Sequence, residues 1–192
     1  MQIEFQILDA LQKIHTPVLN VVMCFITSLG NAGIIWILLT VVLMINPKIR
    51  RTKDGTVCRL FGESGRRSGC ILLAALILDL ILCNGILKNL FHRVRPYDIK
   101  TSIELLVKRP VDYSFPSGHT AASFTAVAAL YFAGAKKYWK PALVLACLIA
   151  FSRLYLYVHY PTDVLGGVLV GILAGYGGNR LLKALEQRKK EK

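Results

Sequence analysis

Acidic residues are scarce in this chain: 11 Asp and Glu stand against 24 Lys and Arg, a formal net charge of +13 over 192 residues. That excess does not point to nucleic acid. A nucleic-acid binder would gather its cations on soluble elements, whereas 54% of this chain is hydrophobic and the mean hydropathy is +0.49. Basic loops between membrane segments fit both observations. Cysteine pairing is also missing. Cys24, Cys58, Cys70, Cys83 and Cys147 form no CxxC pair and have no histidine at ligand spacing, so neither a zinc site nor a disulfide framework is expected. Most of them read as small apolar core residues. The N-terminus lacks a basic stretch before its apolar residues and a small-residue cleavage site, which argues against a removable signal peptide. The first membrane helix is expected to act as the targeting signal. No repeat at a fixed period appears, and residues 1–192 are expected to form one integral membrane domain.

Long apolar runs are what the chain does have. Four of them, at about residues 70–91, 117–134, 139–158 and 163–182, are near the 20 or so helical residues that cross a hydrocarbon core. Residues 17–45 are long for one span and short for two, and the break at Ser28-Leu29-Gly30-Asn31-Ala32-Gly33 favours two spans joined by a tight turn. The expected architecture is therefore an all-α polytopic bundle of about six transmembrane helices. In residues 1–16, Ile3, Ile7, Leu8, Leu11 and Ile14 recur near helical spacing among polar residues. They fit either a helix on the membrane surface or an extension of the first span.

Basic residues set the expected orientation. Lys48, Arg50, Arg51, Lys53, Arg59, Arg66 and Arg67 lie in the linker-like segment 46–69. Lys136, Lys137 and Lys140 follow the fourth span, and Arg180, Lys183, Arg188, Lys189, Lys190 and Lys192 follow the sixth. Alternating spans put all three groups on one side, expected to be cytoplasmic together with the C-terminus. The segments around 95–116 and 159–163 then face away from the cytoplasm.

Those segments carry the chemistry. Arg153, His159 and Asp163 stand at the end of an apolar run, where ionisable groups mark function by default. Lys88 and Arg95 are seven residues apart, followed by Pro96; two turns of helix would project both from one face, with Pro96 stopping the helix. Lysine offers a compact charge to phosphate and arginine a planar fork. Pro116-Ser117-Gly118-His119 reads as a helix start whose Ser117 and Gly118 N–H groups can face an anion, with His119 placed as a proton donor. Asp163, four residues after His159, can hold one imidazole nitrogen and leave the other free to attack. Each motif has a plainer reading in isolation: a snorkelling cation, a capped helix, an aromatic-belt histidine. Their joint occurrence in one chain defeats it.

Lys88-x6-Arg95-Pro96, Pro116-Ser117-Gly118-His119 and Ser152-Arg153-x5-His159-x3-Asp163 resemble the three-part signature of the type 2 phosphatidic acid phosphatase superfamily, with the motif-bearing core at about residues 69–176. The resemblance implies a metal-independent hydrolase of phosphomonoesters or diphosphates that works without a cofactor. It makes His159 the nucleophile that forms a phosphohistidine, Asp163 its orienting carboxylate and His119 the acid. Lys88, Arg95, Arg153 and the Ser117-Gly118 backbone bind the phosphoryl oxygens. No carboxylate cluster accompanies the motifs to hold Mg²⁺, and the cations themselves can neutralise phosphate.

A site at the edge of the helices is open to substrates arriving sideways from the bilayer. Undecaprenyl diphosphate is the first expectation, followed by phosphatidylglycerophosphate and phosphatidate. A lipid phosphotransferase is the alternative within the superfamily, and an anion or lipid transporter the alternative outside it; translocation has no use for the nucleophile that His159 and Asp163 supply. Asp79 and Asn84 read as an interhelical hydrogen bond, and Arg93 and Tyr97 as residues able to touch a headgroup.

Overall fold

A computed structural model describes residues 2–46, 48–51, 57–59 and 64–191. The basic side chains expected at 48–59 lie outside the described portion. Helix α1, Gln2–Gln12, is distinct from helix α2, Pro17–Leu29. The second helix begins with proline in its first turn, and the Thr16 side chain accepts the Leu19 N–H at 3.2 Å, so the chain is recapped rather than continued. Of the two readings of the N-terminal segment, the structure selects a separate amphipathic helix: Ile3 and Ile7 are exposed, while Leu8 is buried against Tyr157 and Tyr160.

Helix α2 and helix α3, Ile34–Ile45, meet at a break where Ala32 and Gly33 take left-handed backbone angles, φ 49° and 67°. The pair bends by 45° there and does not reverse. Its contacts descend in order. Asn20 accepts a hydrogen bond from the Tyr155 hydroxyl, the Thr27 hydroxyl accepts one from Arg153, Trp36 donates to Ser123, and Met44 packs beside Gly69. The two helices therefore make one bent crossing. This corrects the expectation of two spans joined by a tight turn: the pair is a single bent span. The physical reason is that two left-handed residues kink a helix pair but leave both helices pointing the same general way. One crossing also places α1 at the same end as the 156–160 turn, as its contacts require.

The remaining elements complete the bundle. β1, Lys48–Arg51, pairs antiparallel with β2, Val57–Arg59. Helix α4, Gly65–Asp79, runs through a π-helical stretch, Leu80–Leu87, into α5, Lys88–Phe91. Then come α6, Pro96–Ile99, α7, Gly118–Phe132, α8, Trp139–Tyr155, and α9, Pro161–Lys190. Helices α7 and α9 form the most extensive contact, because glycines let their backbones approach. A Cβ at Gly171 would stand 2.6 Å from the Ala121 carbonyl oxygen, and one at Gly175 would stand 2.7 Å from the Ala129 nitrogen. Small residues at this four-residue interval serve the same purpose in membrane helices generally. On the opposite face of α9, Leu165, Leu169 and Leu173 point outward, as lipid-facing residues do. The chain is an integral membrane protein with an all-helical core.

Candidate active site

Helix α5 ends at Phe91 because His92 turns left-handed, φ 45°. Arg95 is in extended backbone, φ −76° and ψ 153°, the conformation a following proline favours. Pro96 opens α6 rather than stopping a helix, so the expectation that Lys88 and Arg95 share one continuous helical face is corrected. The two cations converge all the same, on Asp112. Lys88 donates its ammonium to Asp112 Oδ2, and Arg95 donates to Asp112 Oδ1 at 2.6 Å. Arg95 is held further by the carbonyls of Asp112, at 2.8 Å, and Val158, at 2.7 Å. Both cations are buried, whereas the Asp112 side chain is 47% exposed. Partial burial works against the Asp112 carboxylate, but the hydrogen bonds and charge of Lys88 and Arg95 prevail and hold its pKa down at about 2.

His159 sits on the far side of Arg95, in the turn between α8 and α9. Its Nε2 is 3.3 Å from Arg95 and its Nδ1 is 3.5 Å from Asp163 Oδ2. The second separation is longer than a hydrogen bond, and Nδ1 has no partner within bonding distance. Burial and the charges of Arg95 and Arg153 push the His159 pKa down, against the upward pull of Asp163. Asp163 is fully buried in the first turn of α9 and is anchored at several points. Its Oδ2 accepts from the Ser114 hydroxyl at 2.5 Å and the Tyr160 N–H at 2.9 Å, and its Oδ1 accepts from Arg93 at 2.6 Å. The imidazole therefore presents Nε2 to the cationic cradle and Nδ1 to a fixed carboxylate.

On α7, His119 Nε2 lies 3.0 Å from Asn31 Oδ1. Gly118 lies against Lys88: a Cβ there would stand 3.5 Å from the ammonium nitrogen and from Asn84 Oδ1. Ser117 behaves differently from expectation. Its backbone N–H donates to the Asp163 carbonyl at 3.0 Å, and its buried hydroxyl accepts from Thr120 at 3.0 Å. The Ser117 N–H is therefore not available to an anion, because it ties the α7 entry to the first turn of α9. Arg153 is buried and donates to the Thr27 hydroxyl, leaving its Nε without a partner.

Beneath the cradle lies a cavity of about 810 Å³. Lys88, Asp112, Gly118 and His119 line its polar end; Ile37, Val41, Met44, Leu73 and Leu76 line its depth, so it runs between α3, α4 and α7 toward the other face of the bundle. Asp79 and Asn84 are in its wall, and Asp79 Oδ1 has no hydrogen-bond partner. The expected interhelical hydrogen bond of Asp79 is not formed, since the side chain faces the cavity instead. Among the described residues no three His, Cys, Asp or Glu side chains gather as a metal site.

Sequence reasoning missed Asp112, Ser114 and Asn31, and gave Arg93 no defined place. Asp112 and Ser114 lie just before the Pro116 motif, where proximity alone was the available signal; Asn31 was visible only as part of a helix break. Tyr97 is buried with its hydroxyl donated to the Pro110 carbonyl at 2.6 Å, which leaves it turned away from any headgroup.

Comparison with known proteins identifies the family. A sequence profile of the PAP2 superfamily matches residues 68–186, well over half of the chain. An undecaprenyl-diphosphatase of Sulfolobus acidocaldarius is 30% identical over 153 residues, 80% of this chain and 66% of that protein, just under two thirds of its length. The undecaprenyl-diphosphatase BcrC of Bacillus subtilis is 28% identical over 84% of this chain and 74% of its own. The crystal structure of a transmembrane PAP2 type phosphatidylglycerolphosphate phosphatase from Bacillus subtilis superposes with a TM-score of 0.68 at 28% identity, covering 97% of this chain and 86% of that one.

Proposed function

The chain belongs to the PAP2 superfamily, and from that premise we propose that it is a metal-independent lipid phosphatase acting through a phosphohistidine. Lys88, Arg95, Arg153 and the Gly118 N–H hold the phosphoryl oxygens, preorganised where negative charge develops. His159 Nε2 attacks phosphorus while the bond to the leaving oxygen breaks, and His119, entering as the imidazolium, passes a proton to that oxygen and becomes a neutral imidazole. His119, now a base, then takes a proton from water as the water oxygen replaces His159 on phosphorus, and inorganic phosphate leaves. Asp163 keeps the imidazole oriented throughout.

The observation that carries a lipid substrate is the cavity. It joins the cradle to an apolar groove of about 810 Å³, which gives a tail somewhere to lie while its headgroup meets Lys88 and His119. Undecaprenyl diphosphate, which names the activity of the two sequence relatives from Sulfolobus and Bacillus, is the first choice, followed by phosphatidylglycerophosphate and phosphatidate. The active site faces away from the cytoplasm and the C-terminus lies in it. Lys136, Lys137 and Lys140, with the basic end of α9, support that orientation by lying at the opposite end from the site. Phosphate release from these three lipids in detergent with EDTA tests the reading. Wild type is expected to release phosphate and His159→Ala is not. Equal release from folded wild type and His159→Ala, or release abolished by EDTA, would overturn it.

A further inference from the structure

Asp163 is held by a charge chain that begins on α1. Arg93 Nη1 donates to Asp163 Oδ1 and to the Thr162 hydroxyl, both at 2.6 Å, while its Nη2 donates to Glu4 Oε2 at 2.8 Å. Thr162 closes the ring by donating to Glu4 Oε1 at 2.6 Å. The guanidinium also lies 4.0 Å from the centre of the Tyr160 ring. The chain is well shielded: the side chains of Arg93 and Glu4 are 25% and 13% exposed, and Asp163 is fully buried. Helix α1 is seated on this end of the bundle independently of Glu4. Asp9 accepts from Lys100 and from the Tyr157 hydroxyl, and Gln12 donates to the Tyr155 carbonyl.

We propose that Arg93 and Glu4 are positioning residues for the phosphatase reaction, Glu4 holding the Arg93 fork on Asp163 so that α1 is a working part of the active site. The proposal rests on the phosphohistidine reading of His159 and Asp163. Nδ1 and Oδ2 are 3.5 Å apart, so a small rotation of the carboxylate decides whether it grips the imidazole. Ser114 and Tyr160 fix one oxygen, and Arg93 alone fixes the other with a charge. Misplacing a reacting group by about 1 Å can cost on the order of 100-fold in rate. Arg93 touches no part of the cradle, which separates its effect from that of Lys88 or Arg95.

Charge gives the proposal a signature that a structural strut lacks. The groups facing the His159–Asp163 pair are Arg95, Arg153 and His119, with Asp112 on Arg95, Lys88 beyond it, Tyr160 beside Arg93, and Asp98 acting on Tyr160. Removing the Arg93 cation leaves Asp163 less compensated, which makes His159 easier to protonate and moves the acid limb of the kcat/KM profile to higher pH. Removing the Glu4 charge acts in the opposite sense, through an uncompensated Arg93, and moves the limb to lower pH. The experiment is kcat, KM and pH profiles of Arg93→Gln, Arg93→Lys and Glu4→Gln in the full-length protein in detergent, on whichever lipid wild type hydrolyses.

Expected are a kcat lowered about 10- to 100-fold in Arg93→Gln with KM nearly unchanged, partial recovery in Arg93→Lys, and limb shifts of opposite sign in Arg93→Gln and Glu4→Gln. Unshifted limbs in folded variants, or a raised KM at wild-type kcat, would overturn the proposal, the latter assigning Arg93 to the headgroup. If Arg93→Gln does not fold, the Glu4→Gln limb decides alone. Activity surviving in His159→Ala would mean that the phosphohistidine reading has failed; loss there, with Arg93 and Glu4 variants like wild type, would mean that only this proposal has.

Discussion

Replacing Asp112 by Asn is expected to tighten the binding of orthovanadate, a phosphate mimic, to the resting enzyme. The Asp112 carboxylate bridges Lys88 and Arg95, with Arg95 at 2.6 Å, and so occupies the cations that the proposed mechanism assigns to phosphoryl oxygens. An arriving phosphoryl group must displace it. The carboxylate is 47% exposed, so solvent screens both pairs, and together they hold it by about 1 to 2 kcal/mol. Removing the competing charge should therefore lower the vanadate inhibition constant about 5- to 30-fold. Asparagine keeps the side-chain size and leaves the backbone bond from Arg95 to the carbonyl of residue 112 in place. The folded pKa of Asp112 is depressed to about 2, so its stabilising contribution is complete above the unfolded value and is lost as pH falls toward 2. Between about pH 5 and 8 the carboxylate stays ionised and the competition should be independent of pH. Inhibition of phosphate release by vanadate, compared between wild type and Asp112→Asn, measures the effect. An unchanged or weaker inhibition would refute the reasoning and make Asp112 a support for the cradle rather than a tenant of it.

The cavity and the arrangement of the ends lead to two further outcomes. Ala122 lines the cavity beside Gly118 and His119, so Ala122→Phe should lower kcat/KM about tenfold, or about 1.4 kcal/mol, on a long-tailed lipid while sparing a short-chain phosphate; equal losses on both would separate the groove from tail binding. Val111 is fully exposed in the loop beside the site, so Val111→Cys in a cysteine-free background should react with an impermeant maleimide on intact cells, and labelling only after lysis would reverse the proposed orientation.

The parts of the site that could be read from the sequence are those whose residue identities are chemically restrictive. An arginine, two histidines and an aspartate at apolar borders have few reasons to be there, so His119, Arg153, His159 and Asp163 stood out before any geometry was known. Local conformation was less legible. Lys88 and Arg95 meet as expected but not along one helix, because His92 turns left-handed and the residue before Pro96 is extended; side chains of this length can converge from more than one backbone path. The Gly30–Gly33 break announced a change of direction without its size, since left-handed residues signal a kink and the 45° bend is set by packing on α7 and α8. That bend decides more than the number of crossings. One crossing instead of two brings α1 to the site end, and only there can Glu4 reach Arg93, 89 positions away in sequence. A pairing so distant carries no periodicity and no spacing to read. Asp112 is hidden for the same reason, because its significance depends on how the loop after α6 folds back over the cradle. In the proposed mechanism the motif residues supply the reactive atoms, and the residues assigned to their electrostatic state come from α1 and the loops around α6, where the sequence offers composition without position.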